Sequence, residues 1–164
     1  MSRFSSTSKP SALLGAAMVE FALLLPLVVV LVFGITELGR AVYQQNTLTK
    51  ATASGARYMS RATQAVQPDC SQGSNWGASV TNAANLVAFG RQAGTGTSLL
   101  PELDAGDVSF SLEQRSVTGG GNACVILANA TVPFQAIFGD TLIPFLDLEP
   151  VILNATVEER YHGE

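Results

Sequence analysis

Apolar residues are distributed along this chain in three distinct patterns, and each predicts a different element. From Ala16 to Ile35 they run almost without interruption, close to the ~20 residues an α-helix needs to cross a bilayer core. The pattern then becomes one-sided. Leu38, Ala41, Val42, Gln45, Leu48, Thr52, Gly55, Met59 and Ala62 recur at steps of three or four, the period of an amphipathic helix. One long helix that crosses a membrane over 16–36 and continues amphipathically over 37–65 is the simplest reading. Pro26 lies inside it, where the ring removes a backbone hydrogen bond but is tolerated in spanning helices. Gly34, Gly39 and Gly55 keep patches of its surface small, which allows close helix packing.

The pattern breaks at Pro68-Asp-Cys-Ser71 and Gly73, a loop composition. Asn75 and Gly90 then bracket a helix-compatible stretch, so start and stop signals predict a short helix over 76–89 with Val80, Ala84, Val87 and Ala88 against a sheet. Period two begins at Val108, Phe110 and Leu112, which alternate with Ser109, Ser111 and Glu113. That is a half-buried strand. The Gly-rich turn 118–122 and a second strand, Cys124 to Val132, complete a hairpin, and Val151 to Glu159 is a third strand. Between them, Phe134 to Leu148 is apolar but broken by Gly139 and Pro144, an irregular excursion. The fold class predicted is α+β: a long N-terminal membrane-spanning and amphipathic helix packed on a small C-terminal antiparallel β-sheet. Residues 1–15 form a short Ser/Thr-rich leader and 66–164 the α+β body.

Composition narrows the function. With 9 Lys and Arg against 13 Asp and Glu, a net charge of −4 makes nucleic acid, which is bound through basic patches, a poor partner. Arg3 and Lys9 precede the apolar run, whereas Glu37 and Arg40 cancel just after it. Positive residues therefore place the N-terminus in the cytoplasm and the body outside. Cys70 and Cys124 are the only two cysteines. In an oxidising compartment they suggest one disulfide; two buried free thiols are the alternative.

Catalytic chemistry is thin. His162 is the single histidine and lies beside the C-terminal end of the sequence, so a histidine-based triad or metal centre has little to work with. Glu102, Asp104 and Asp107 cluster but lack an ordered cation loop, and a solvated acidic loop is the preferred reading. No metal and no cofactor is expected, and the chain is read as non-enzymatic. The sequons at Asn129 and Asn154 fall in strands and receive no role. Tyr43, Tyr58 and Trp76 are aromatic positions suited either to packing or to partner contact.

Glu20 has most to explain. Between Lys9 and Glu37 it is the only charge, and a carboxylate in a spanning segment costs about 2.5–3.5 kcal/mol on insertion scales. Either it meets a cation in a bundle, where a buried pair fixes axial register more than it adds stability, or it snorkels at the cytoplasmic interface.

Gly15-Ala-Ala-Met-Val-Glu-Phe-Ala-Leu-Leu-Leu-Pro26, Phe33-Gly-Ile-Thr-Glu-Leu-Gly-Arg40 and Ala53-Ser-Gly-Ala-Arg-Tyr58 together resemble the TadE-like pseudopilins. The resemblance implies a pilin-like fold and a minor, structural subunit of a Tad (Flp-type) pilus, a branch of the type IV pilus family, made as a prepilin in the bacterial inner membrane. It implies a prepilin peptidase as one partner and other pilins or pseudopilins as the rest. Cleavage after Gly15 would make Ala16 the new terminus, Glu20 the fifth residue of the mature chain, and Phe21 the aromatic after it. The body would be periplasmic or carried into an extracellular pilus. The competing reading is an uncleaved, single-pass, membrane-anchored periplasmic binding or adhesion module, which the uncharged Ser11-Ala-Leu-Leu14 directly before Gly15 supports.

Overall fold

The structure, a computed structural model, describes residues 11–117, 120–137 and 150–163, with side chains from Gly15 onward. Helix α1 spans Ser11–Ser60, 50 residues without a break at Pro26; at 1.5 Å per residue it is about 75 Å long. It starts five residues before the expected Ala16 and stops five short of Ala65. Beyond it, turns bonded from Arg61 N to Tyr58 O and from Ala62 N to Met59 O unwind the chain into the cysteine loop. That loop is held by a Val66–Gln72 bridge.

Helix α2 spans Trp76–Phe89 and ends on Gly90 at φ 68°, whose N–H returns to the Leu86 carbonyl. Only glycine adopts that left-handed turn without steric cost. At the other end Asn75 supplies no side-chain cap; its amide instead donates to the Thr63 carbonyl at 3.1 Å. Strands β1 (Val108–Ser116), β2 (Asn122–Pro133) and β3 (Ile152–Arg160) form an antiparallel sheet in the order β1-β2-β3, with registers such as Val108–Ala130–Ala155 and Phe110–Ala128–Val157. The irregular excursion expected over 134–148 lies largely outside the described residues.

Both helices cover one face of the sheet. On β2 the alternation is strict from Ile126 to Val132: Ile126, Ala128, Ala130 and Val132 are buried while Val125, Leu127, Asn129 and Thr131 turn to the other face. Ala130 of β2 shares a cluster with Ala84 and Ala88 of α2, small against small. Gly55 on α1 marks the closest approach, because a Cβ there would collide with Val87 Cγ2 and reach the Ala83 carbonyl and Phe110 at 3.3 Å. Of Gly34, Gly39 and Gly55, then, Gly55 serves packing within this chain, and a Cβ at Gly34 or Gly39 would meet nothing within 4 Å.

Two apolar clusters stack along α1. Nearer the spanning segment lie Leu48, Ala51, Val87, Leu100, Leu103 and Val132. At the far end lie Met59, Ala65, Trp76, Ala83 and Ile126. Trp76 is 8 % exposed, which makes it part of the core and not a partner anchor.

The one-sided face of α1 is the expected one at Leu48, Thr52, Gly55 and Met59, all buried, but differs at its upper end. Leu38 and Val42 are exposed, and the positions turned to the body are Glu37, Gln44, Leu48, Ala51, Thr52, Gly55, Ala56 and Met59. The face is rotated because polar side chains occupy its upper end.

Candidate functional site: the bare helix and its junction with the body

From Gly15 to Thr36 the helix touches little of its own chain. No residue in that stretch is buried, and it holds a window long and apolar enough to cross a membrane, none of it covered by the body. Met18, Leu23, Leu27 and Ile35 are each at least 60 % exposed. Surface of that kind in water marks a membrane or partner contact. Gly15, Ala16, Glu20 and Phe21 all lie on this stretch and are exposed. The Gly15–Ala16 bond sits inside the first turns of α1, and Glu20, one turn beyond Ala16, makes no hydrogen bond or ion pair among the described residues.

The bare stretch ends at a polar clasp. Glu37, Arg40 and Gln44 project from one side of α1 at steps of three and four, and all grip the backbone that follows β2. Glu37 is completely buried, and its Oε1 accepts from Ile137 N at 2.8 Å. Arg40 Nε donates to the Gln135 carbonyl at 2.9 Å. Gln44 Nε2 donates to the same carbonyl at 3.0 Å, while its Oε1 accepts from Gln135 N at 3.4 Å. A buried amide or carboxylate is tolerable only when bonded in this way. The clasp joins α1 to the end of the central strand, at the point where the bare apolar stretch gives way to the packed half of the same helix. In the sequence alone, Glu37 and Arg40 read as a cancelling pair at the membrane boundary. The available signal is their helical spacing with Gln44, on a different side from Leu38 and Val42.

Opposite the clasp, Leu38, Val42 and Tyr43 are 54 %, 55 % and 69 % exposed. Leu38 and Val42 border two shallow grooves, one of 230 Å³ lined by Val30, Leu31, Gly34, Ile35 and Leu38 and one of 260 Å³ that includes Ala41, Val42 and Leu153. The bare apolar surface thus continues past Thr36 along the body. Tyr58, by contrast, is half-buried and its hydroxyl accepts from Asn82 Nδ2 at 3.3 Å.

At the far end Cys70 and Cys124 are disulfide-bonded with a Cα–Cα separation of 5.3 Å, pinning the loop after α1 to the start of β2. Next to it, the Ser71 hydroxyl at 2.6 Å and the Ser71 N–H at 3.0 Å hold the Asp69 carboxyl below its ordinary range. The last residues are tied to the end of α1 as well, through Tyr161 Oη to the Ala62 carbonyl at 2.7 Å and His162 N to the Ser60 carbonyl at 2.8 Å. His162 is therefore anchored by its backbone.

Two of the three clustered acidic residues are local architecture. Asp104 and Asp107 form a reciprocal box around a 3-10 turn, Ala105–Asp107, and no group of three or more metal-ligating side chains occurs among the described residues. On the open face of the sheet Asn129 Nδ2 donates to Thr156 Oγ1 at 2.9 Å and to Asn154 Oδ1 at 3.3 Å, so the two sequons bond to each other across the strands.

Among known protein families, the model described as TadE-like protein fits residues 15–57. No curated protein and no solved structure matches the chain. The matched segment covers the bare helix, the clasp and the first part of the packed face. Residues 15–57 of the chain thus match the TadE-like family, and its apolar N-terminal helix fits a single-pass membrane anchor.

Proposed function

We propose that this protein is a minor pilin-like subunit, a pseudopilin, of a Tad pilus, held in the bacterial inner membrane with its body on the periplasmic side and passed into an assembling pilus. It acts as a structural part and not as an enzyme. The observation that carries the reading is the bare helix. A 22-residue stretch, 15–36, none of it buried, is joined without a break to a disulfide-bonded body, and it contains a single carboxylate, Glu20. An anchor alone has no use for that charge.

In this reading a prepilin peptidase cuts the Gly15–Ala16 bond from the cytoplasmic side. Gly15 is the weakest helix former near the start of α1, about 1 kcal/mol worse than alanine, which eases the local opening that cleavage needs. The cut leaves Ala16 with a cationic amine one helical turn from Glu20. Within one helix Glu20 lies one turn along the same face as the amine; between parallel helices offset along the axis, the Glu20 of one subunit meets the amine of another, and the pair sets the offset.

The test is the N-terminal residue of the protein from the membrane fraction of its own cell, by intact mass and N-terminal peptide mapping. A start at Ala16 is the expected result. An intact leader would overturn the processing step and leave an uncleaved anchored module.

A further inference from the structure

At the end of the body farthest from the membrane, the last turns of α1 and the first turn of α2 enclose a cleft of 520 Å³. Its lining includes Arg57, Tyr58, Arg61, Asn75 and Ser79. Three features make it a receptor for a carboxylate. Arg57 and Arg61 stand one helical turn apart; Arg57 is paired with Glu159 at 3.5 Å, whereas Arg61 makes no ion pair among the described residues. Ser79 lines the cleft, and its hydroxyl, which no other described residue engages, is open to an incoming acceptor. Finally, α2 begins at the cleft without a side-chain cap, which leaves the positive end of its dipole directed at whatever enters.

The occupant is indicated by the carboxylates of the described residues, which do not include Asp140, Asp147, Glu149 and Glu164. In the described body Asp69, Asp104, Asp107, Glu113, Glu158 and Glu159 each accept a hydrogen bond or pair with arginine, and Glu37 is buried in the clasp. Glu102 remains. It is exposed, engages no partner among the described residues, and is held with a left-handed backbone, φ 61°, between Pro101 and the buried Leu103. Leu100 and Leu103 of its loop belong to the same apolar cluster as Leu48 and Ala51, positions that lie roughly 15–20 Å along α1 from Arg61 at 1.5 Å per residue. The cleft itself stands some 30 Å beyond the end of the apolar run by the same rise, out of reach of lipid headgroups.

We infer that the cleft binds the Glu102 loop of a second copy of this chain, in a head-to-tail contact. Such a contact is heterologous and repeats into a filament, and it keeps the helices of the two copies parallel. It requires an axial displacement of about 15–20 Å between copies, so two copies anchored at one depth in a flat membrane cannot make it. The contact forms only when one copy has moved outward along the helix axis. It does not depend on removal of the leader.

Charge reversal tests it in the full-length chain in detergent micelles, with self-association measured by sedimentation. Arg61→Glu and Glu102→Arg each should weaken association about tenfold or more, since a like-charge contact opposes binding; the double variant, and an equimolar mixture of the two single variants, should restore it. Circular dichroism controls for folding. In a second experiment the Arg61→Lys variant, treated with a zero-length carbodiimide, should give a cross-linked peptide that joins position 61 of a labelled copy to Glu102 of an unlabelled one. Single variants that associate like the parent overturn the inference. So does loss with Arg61→Glu but not with Glu102→Arg, which would give the cleft a different occupant.

Discussion

Gly55 shows how much a single hydrogen can carry. A methyl group at this position is driven into Val87 Cγ2 and against Phe110, and α1 cannot retreat, since Thr52 and Ala56 on either side are themselves fully buried. Gly55→Ala gains about 1 kcal/mol of helix propensity but meets an overpacking cost of typically about 1–3 kcal/mol. The net expectation is a modest loss of stability, read as a lower thermal midpoint in detergent, while the same change at the open Gly39 raises or preserves it. Glu37 makes the complementary case for polar packing. Glu37→Ala strips the Ile137 amide of its partner and leaves the clasp to Arg40 and Gln44. Removing a hydrogen bond to a charged group costs about 1.5–3 kcal/mol. The expected signature is faster amide exchange over 134–137 with little change in the far cluster around Met59 and Trp76.

Among the elements, those whose burial follows a simple period are legible in the sequence. Helix α2 has Gly90 at its end and β2 alternates cleanly, so both can be placed closely; Asn75 marks the start of α2 although its amide serves Thr63 instead of the cap. Helix α1 is legible in kind, and in orientation from Leu48 onward, but not at its upper end. Its packed face begins with Glu37 and Gln44, whose partners are backbone groups about 90 to 100 residues further along, and no local pattern announces an acceptor so distant. Leu38 and Val42 look like core for the same reason: an apolar residue on an amphipathic helix is assigned inward unless something is known of its neighbours. The disulfide stands between these cases. Two cysteines permit one connectivity, but only the fold shows that it ties the end of α1 to the central strand across 54 residues. In the chain-entropy model a loop of that length stabilises by about 4 kcal/mol. The double substitution Cys70→Ser with Cys124→Ser is expected to loosen the far cluster first, seen as early proteolysis within 61–75, and to leave insertion of the N-terminal helix intact.

For the whole molecule, the decisive feature is the division of α1 between two environments. Its second half is a core element, packed on α2 and β3; its first half is bare and apolar apart from Glu20. Removing that charge separates the two jobs the bare half is proposed to do. Glu20→Ala lowers the cost of placing the helix in hydrocarbon by about 2.5–3.5 kcal/mol, so membrane insertion should be undiminished or improved, as measured by carbonate extraction. If Glu20 sets the axial offset between neighbouring helices, incorporation into sheared pilus material should fall at the same time, even though the anchor has become a better one. Opposite signs in the two assays are the expected outcome, because a more apolar helix gains affinity for lipid while losing the only group that distinguishes one axial position from the next. A substitution that leaves both insertion and incorporation at parental levels would reduce Glu20 to an interfacial charge and shift the burden of register onto the body, where the Arg61 cleft and the Glu102 loop already stand at opposite ends of the packed half of the same helix.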